Sequence, residues 1–240
     1  MAFNYPLLSI IIPVYNSELF IEDTINKIYH QNYSTIELII IDDGSTDNTA
    51  EIIKKNFPEA IYSFQENKGP ASARNQGLKL CKGEQIIFLD SDDYWEENSL
   101  HILSDFLLQN PDILIVEGKI REFITKNDDI QFISEAYNMS SFGTCMFRKE
   151  VFDIVGFFDE RLICAQDIDW FIRAWENNIE KSRVDQIILN YRKHANSLTA
   201  TKITQQQYYL LLMYKFKMER EKQLIKNQKG ALNDYIGNKK

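Results

Sequence analysis

Three carboxylates fall within four positions at Asp90-Ser91-Asp92-Asp93, directly after an apolar run that ends at Leu89. Like charges this close repel and raise one another's proton affinity unless something offsets them. A divalent cation would do so. Carboxylate oxygens suit Mg²⁺ or Mn²⁺, which keep several waters and bind substrate phosphates alongside one or two protein carboxylates. In an extended segment, residues two apart point the same way. Asp90 and Asp92 are therefore expected to address one ligand while Asp93 turns elsewhere. An acidic loop that favours the start of the next helix would use the same residues without any metal.

Two further polar groups stand in the same kind of place. Asp42-Asp43-Gly44-Ser45 ends a second apolar run, and Asn16 ends the first. A carboxylate there can accept hydrogen bonds from a nucleobase N–H or a ribose hydroxyl. The same residues also make a turn and a helix start.

The elements that must position these groups follow from the hydrophobic pattern. Leu7 to Val14 is a continuous apolar run and reads as a strand buried on both faces. A helix opens near Ser17-Glu18, with Asn16 or Ser17 as cap. Glu37–Ile41 is a strand, Thr46–Phe57 a helix and Ala60–Phe64 a short strand. Gly69-Pro70 starts a helix reaching Lys82, and Gln85–Leu89 is the strand that delivers the acidic cluster. This alternation implies a parallel sheet covered on both faces, with ligands at the carboxyl ends of its strands.

The second half is less regular. Asn98–Leu108 is expected to be helical, with strands at Ile113–Gly118 and Lys119–Ile124 and a turn at Lys126–Asp129. Phe142–Phe147 reads as a strand, Lys149–Val155 as a helix stopped by Gly156, Asp167–Glu176 as a helix and Arg183–Tyr191 as a last strand. Trp170, Phe171 and Trp175 read as core, whereas Tyr94 and Trp95 are placed to stack on a sugar. From about Ile203 a tail begins in which Tyr209, Leu212, Met213 and Phe216 share one helical face beside Lys215, Lys217, Arg220 and Lys222. It would pack on its own domain, on a partner or on a membrane surface through 203–226.

The chain has 240 residues, 44% of them hydrophobic, with 27 basic residues against 35 acidic ones and a net charge of −8. An acidic balance gives no general pull on nucleic acid. Cys81, Cys145 and Cys164 are sparse and odd in number, which suits reduced thiols and neither a disulfide framework nor a zinc site. No signal peptide precedes the first strand, and no apolar run reaches the roughly 20 residues that span a bilayer. The expected location is cytoplasmic, with room for peripheral contact at the inner face of the membrane.

Taken in order, these segments resemble a known family. Ser9-Ile10-Ile11-Ile12-Pro13-Val14-Tyr15-Asn16, Ile41-Asp42-Asp43-Gly44-Ser45-Thr46-Asp47, Asn67-Lys68-Gly69-Pro70-Ala71-Ser72-Ala73-Arg74-Asn75 and Leu89-Asp90-Ser91-Asp92-Asp93 are similar to the motifs of the family 2 glycosyltransferases. So are Gly156-Phe157-Phe158-Asp159-Glu160, Gln166-Asp167-Ile168-Asp169-Trp170 and Arg192-Lys193-His194-Ala195-Asn196-Ser197. Any one motif is weak, but seven in order are specific.

The resemblance implies an α/β GT-A fold, with a mostly parallel Rossmann-like sheet flanked by helices and a C-terminal helical tail. Residues 1–202 would form the transferase domain, 1–95 the nucleotide-sugar half and 96–202 the acceptor half, with 203–240 the tail. It also implies an inverting transfer from a nucleotide-sugar, commonly a UDP-sugar, to a glycan or lipid-linked acceptor in cell-surface polysaccharide, lipopolysaccharide or capsule synthesis. Pro13, Tyr15 and Asn16 match the nucleotide pocket, and Asp43 the carboxylate that binds the base. Arg74 matches a residue facing the phosphates. Asp90 and Asp92 match the DxD motif, with Asp92, Asp93 and His194 as ligands to Mn²⁺ or Mg²⁺. Asp167 matches the catalytic base, with Asp169 its alternative. Gln166 departs from the Glu often found there.

Other classes fit less well. A haloacid-dehalogenase-type phosphatase carries Asp-x-Asp after its first strand rather than its fourth. A nucleotidyltransferase needs a Gly-rich basic loop after the first strand, and a Rossmann dehydrogenase needs GxGxxG. Pro13-Val14-Tyr15-Asn16 is neither. A catalytically inactive glycosyltransferase-like binding module stays open.

Overall fold

The computed structural model describes residues 5–127, 129–162 and 164–194. The tail from 203, with its proposed membrane contact through 203–226, lies outside them, as does the last part of the 1–202 domain.

The first half alternates strand and helix: β1 (Leu8–Val14), α1 (Ile21–Tyr29), β2 (Ile36–Asp42), α2 (Thr49–Asn56), β3 (Ile61–Phe64), α3 (Pro70–Leu80) and β4 (Gln85–Phe88). Then come β5 (Tyr94–Trp95), α4 (Ser99–Gln109), β6 (Ile115–Lys126), β7 (Asp129–Phe132), a 3₁₀ turn (Phe142–Thr144) and β8 (Cys145–Arg148). The last elements are α5 (Val151–Val155), α6 (Gln166–Glu176) and β9 (Lys181–Arg192).

The nine strands of the described residues form one sheet in the order β3-β2-β1-β4-β8-β6-β9-β5, with β7 hydrogen-bonded to β6. The four strands β3, β2, β1 and β4 are parallel. Beyond β4 the sheet is mixed. There β8 runs antiparallel to both β4 and β6, β9 runs parallel to β6, and β5 runs antiparallel to β9.

β1 shows why its sequence has no polar alternation. Leu8, Ile10, Ile12 and Val14 enter one core with Ile21, Ile25 and Ile28 of α1, Ile53 of α2 and Leu100, Leu103 and Leu107 of α4. Ile11 enters the other, with Ala71 and Ala73 of α3, Val151 of α5 and Trp170 and Phe171 of α6. Side chains alternate across a strand, so a strand covered on both faces must be apolar throughout. Each such side chain contributes about 1.5–3 kcal/mol when fully buried. α3 lies so close to β1 that a Cβ on Gly77 would stand 2.3 Å from Ile11 Cγ2.

Several boundaries differ from the sequence expectation. Neither Asn16 nor Ser17 caps α1 with its side chain. The helix starts at Ile21, and its first N–H groups bond to the Ser17 carbonyl. The two strands expected over Ile113–Ile124 are one strand, β6, whose pairing with β9 shifts register around Lys119. Only the end of Phe142–Phe147 is extended, because Phe142–Thr144 coils into a 3₁₀ turn closed reciprocally by Ser141 and Thr144. β5 and β7 were not expected at all.

All three cysteines are buried and free of disulfides. No helix among the described residues is long and apolar enough to cross a membrane.

Candidate active site

Three parallel strands end on one rim, and their last residues are laced together. The Asp43 amide donates to the Val14 carbonyl at 2.8 Å, and the Gln65 amide to the Asp42 carbonyl at 2.8 Å. Gly44 turns the chain after β2 with φ +83°, and a Cβ there would meet the Asn67 backbone nitrogen at 2.9 Å. Both facts require glycine. Asn16 sits in the left-handed region at φ 48°. Its Oδ1 accepts the Thr46 amide at 2.8 Å, and its own amide donates to Ser45 Oγ at 3.0 Å. It therefore buckles the β1 loop to the β2 loop.

Asp42 is fully buried and structural, accepting from the Ser45 amide at 2.8 Å and Tyr62 Oη at 2.6 Å. Asp43 is the neighbour that holds the next loop. Its Oδ1 accepts Gln65 Nε2 and the Lys68 amide, and its Oδ2 accepts the Gly69 amide, all within 2.7–2.8 Å. A carboxylate offers about four lone-pair sites. Three are filled from within the chain, which leaves Oδ2 able to take one more donor. Pro13 is half-buried, and Tyr15 is 51% exposed at the same rim.

The acidic cluster is a turn rather than an extended segment. The Asp93 amide donates to the Asp90 carbonyl at 3.1 Å, which closes a β-turn. The expectation that Asp90 and Asp92 face one ligand because they are two apart is corrected accordingly. Asp90 Oδ1 pairs with Arg74 Nη2 at 2.6 Å, whereas Asp92 Oδ2 lies 2.7 Å from His194 Nε2. Burial, then the Asp90 charge, pushes the Asp92 carboxyl above the ordinary carboxylate range, and His194 pulls it back. The turn is fixed from α1 as well: Thr24 Oγ1 donates to the Ser91 and Asp93 carbonyls, and Ser17 Oγ lies 2.6 Å from Ser91 Oγ.

Asp93 is not brought to the rim. It is 3% exposed, its Oδ1 accepts the Arg192 amide at 2.8 Å, and burial pushes its carboxyl well above the ordinary range. Its place is a tie to β9, which takes it out of the metal set the sequence suggested.

Arg74, on the first turns of α3, is 7% exposed and stands over the Phe142 ring at 5.7 Å. Its Nη2 is satisfied by Asp90, but its buried Nε has no partner among the described residues. Such a group costs about 1–3 kcal/mol unless something pairs with it.

Asp167 lies half-buried in the first turn of α6, entered through Ala165 at φ 59°. Its Oδ1 accepts the Ile168 amide at 2.8 Å. Burial raises its pKa. The Ile168 amide and then the Arg74 charge lower it, and Asp90 raises it again. Asp167 thus lies within electrostatic reach of the Arg74–Asp90 pair. Asp169, the alternative, is held by Arg173 Nε at 3.0 Å.

The sugar-stacking reading of Tyr94 and Trp95 is corrected. Trp95 is buried and donates its indole N–H to the Gly143 carbonyl at 2.8 Å. The Tyr94 ring is covered by Lys27 Nζ at 3.9 Å and packs edge-on to Phe123. Trp170, Phe171 and Trp175 are core, as expected. Asn75 was missed. Its side-chain amide donates to the Phe158 carbonyl and Glu160 and accepts the Phe158 amide, which ties α3 to the loop leading towards Asp167. No local signal separates it from any polar helix residue.

Among the described residues, no group of three or more His, Cys, Asp or Glu could hold a metal ion by itself. The Asp92–His194 pair offers one oxygen and one nitrogen donor. That is the partial set Mg²⁺ or Mn²⁺ takes when phosphates and waters complete its coordination.

A family model described as "Glycosyl transferase family 2" matches residues 9–158. A Haemophilus influenzae protein described as an uncharacterized glycosyltransferase is 38% identical over 143 residues, covering 55% of this chain and 57% of that one. The chondroitin synthase of Escherichia coli is 29% identical over 213 residues, covering 82% of this chain and 30% of that one. Among solved structures, S. aureus TarS 1–349 in complex with UDP-GlcNAc has a TM-score of 0.67 at 24% identity, covering 81% of this chain and 61% of that one. The chain thus spans only part of each of these proteins.

Proposed function

The chain belongs to the family 2 glycosyltransferases, and we propose that it moves a sugar from a UDP-linked donor to a hydroxyl of a glycan or lipid-linked acceptor, with inversion, during cell-surface polysaccharide synthesis. A UDP-sugar is chosen because TarS, which shares the fold, is described in complex with UDP-GlcNAc. A polysaccharide product is chosen because a chondroitin synthase is among the relatives.

One observation carries the reading. The end of β4 presents the Arg74–Asp90 ion pair and the Asp92–His194 contact side by side, with a buried arginine N–H that lacks a partner among the described residues. A diphosphate oxygen supplies what that N–H lacks. The exposed Tyr15 ring offers a face for the base, and the remaining acceptor site of Asp43 Oδ2 suits a base N–H. Asp92 and His194 would hold Mn²⁺ or Mg²⁺. When bound, such an ion stabilises the negative charge that builds on the departing diphosphate.

The chain's own residues do the rest. Arg74 orients the diphosphate and, through Asp90, stays tied to the acidic turn. Asp167 accepts the proton of the acceptor hydroxyl as that oxygen bonds to the anomeric carbon and the bond from that carbon to the phosphate oxygen breaks. A half-buried carboxylate of raised proton affinity is suited to this, since general bases work best with a pKa near the working pH. One base opposite the leaving group gives a single displacement, and the configuration inverts. Most glycosidases, by contrast, use a pair of carboxylates.

The test is a thermal-shift screen of UDP-, GDP- and dTDP-sugars with and without Mn²⁺. A ligand that binds only the native state raises the melting temperature. UDP-sugars with Mn²⁺ are expected to give the largest rise. A larger rise with GDP- or dTDP-sugars overturns the UDP assignment, and no rise with any of them overturns the donor site.

A further inference from the structure

Arg192, the last residue of β9, is nine-tenths buried and reaches the acidic turn, β6 and α1. Its Nε donates to the Asp92 carbonyl at 2.7 Å, and its Nη1 to Thr125 Oγ1 on β6 at 2.6 Å. Its Nη2 lies 3.8 Å from Asp23 Oδ2 on α1. Its guanidinium carbon stands over the rings of Phe123 at 4.7 Å and Phe20 at 5.1 Å. The Phe20 ring also packs against His194, with centroids 5.2 Å apart. Arg192 and His194 therefore share one aromatic support, two residues apart on the same strand end. The backbone N–H of Arg192 adds the bond to Asp93 Oδ1.

This arrangement uses a guanidinium for what an ammonium cannot do. The planar fork sends N–H groups in fixed, divergent directions while its face lies on aromatic rings. Here one direction fixes the peptide that carries Asp92, and another fixes the strand beneath. A turn crowded with carboxylates tends to spread apart, and the Asp92 side chain can reach His194 only if its backbone is held.

We propose that Arg192 is a positioning residue that clasps the acidic turn to β9, holding Asp92 and His194 in register to receive a divalent cation together with a nucleoside diphosphate. This inference rests on the donor-site reading above. Arg192 touches neither donor nor acceptor in it. Its effect passes through the Asp92 peptide and the ring of Phe20.

The experiment titrates Mn²⁺ into the full chain at saturating UDP, followed by electron paramagnetic resonance, and separately titrates UDP in EDTA. Wild type, Arg192→Met, Arg192→Lys and Thr125→Val are compared. Groups that orient metal ligands are typically worth about ten- to a hundred-fold in metal affinity. Arg192→Met is expected to weaken Mn²⁺ binding by that factor while leaving UDP binding in EDTA unchanged. Arg192→Lys should recover only part of the loss, because a single ammonium cannot serve both the Asp92 carbonyl and Thr125. Thr125→Val removes one hydrogen bond of the clasp and should show a smaller loss in the same direction. It carries the test if Arg192→Met does not fold.

A folded Arg192→Met that binds Mn²⁺ like wild type overturns the inference. So does a variant that loses both titrations equally, since that reports general collapse of the site. If wild type binds UDP in EDTA but takes no Mn²⁺, the metal reading fails and this inference with it. If wild type binds no UDP at all, the donor-site reading itself has failed.

Discussion

Replacing Asp167 by asparagine should separate chemistry from folding. The Asp167 Oδ1 accepts only the neighbouring Ile168 amide among the bonds described, and an asparagine Oδ1 can accept the same bond. What disappears is the ability to take a proton. Removing a positioned general base costs about 10²–10⁴ in rate, which is about 2.7–5.4 kcal/mol of barrier at 1.36 kcal/mol per decade. Donor binding should stay near wild type, because the proposed donor contacts are made by Arg74, Asp92 and Asp43 and not by Asp167. The assay is release of UDP from a UDP-sugar with a hydroxyl acceptor, measured against pH.

The sign of the pH effect follows from the environment. Burial raises the Asp167 pKa, so wild-type activity should rise with pH along a limb that lies above the ordinary carboxylate range. The Arg74 charge lowers that pKa, so Arg74→Met should move the limb to higher pH in addition to weakening donor binding. Stability shifts in the opposite sense. A carboxyl whose folded pKa is raised is best tolerated below its unfolded pKa, and that tolerance is lost as pH rises through the folded value. Asp167→Asn should therefore melt no lower than wild type at neutral pH, with any advantage vanishing in acid. An Asp167→Asn protein that binds UDP and transfers at the wild-type rate refutes the base assignment.

Two other perturbations test the frame that holds the site. Gly77→Ala would place a methyl 2.3 Å from Ile11 Cγ2. Overpacking of this kind costs about 1–3 kcal/mol, outweighing the gain of about 1 kcal/mol in helix propensity at its upper end, and thermal unfolding should show a net loss of stability. Glu117 is a buried carboxylate shared by Lys181 at 2.7 Å and Arg183 at 2.5 Å. Glu117→Gln leaves both cations facing a neutral group, and breaking a buried pair typically costs about 3–5 kcal/mol. Lys181→Met should cost less in urea titration, because Arg183 still pairs with Glu117.

What the sequence made readable and what it did not divide along a physical line. β1, β2 and β4 were found because a strand buried on both faces must be written in unbroken apolar residues, as Leu8–Val14 is. Their ends located Asn16, Asp43 and Asp90 on one rim. Residue type and spacing alone did not divide the labour within each acidic pair; only the family resemblance singled out Asp43. Asp42 and Asp43 are chemically identical neighbours, and only the approach of Tyr62 to one and of the Lys68–Gly69 amides to the other separates them. Tyr94 and Trp95 were misassigned because position beside the acidic cluster says nothing of the Gly143 carbonyl that draws the Trp95 indole inward. β5 has two residues, too few for any period to show. Arg192 reads as one more basic residue near the end of a strand, and its contacts with α1, β6 and the acidic turn exist only once the chain has folded.

The most direct test of the donor site is a calorimetric titration of wild type, Asp92→Asn and Asp43→Asn with UDP in the presence of Mn²⁺. The account predicts saturable binding of one UDP per chain to wild type. In Asp92→Asn, binding should fall to the level that wild type shows in EDTA. In Asp43→Asn it should weaken whether or not Mn²⁺ is present, because the loop holding the base side is released. Equal UDP affinity in all three proteins, with no response to Mn²⁺, would contradict it.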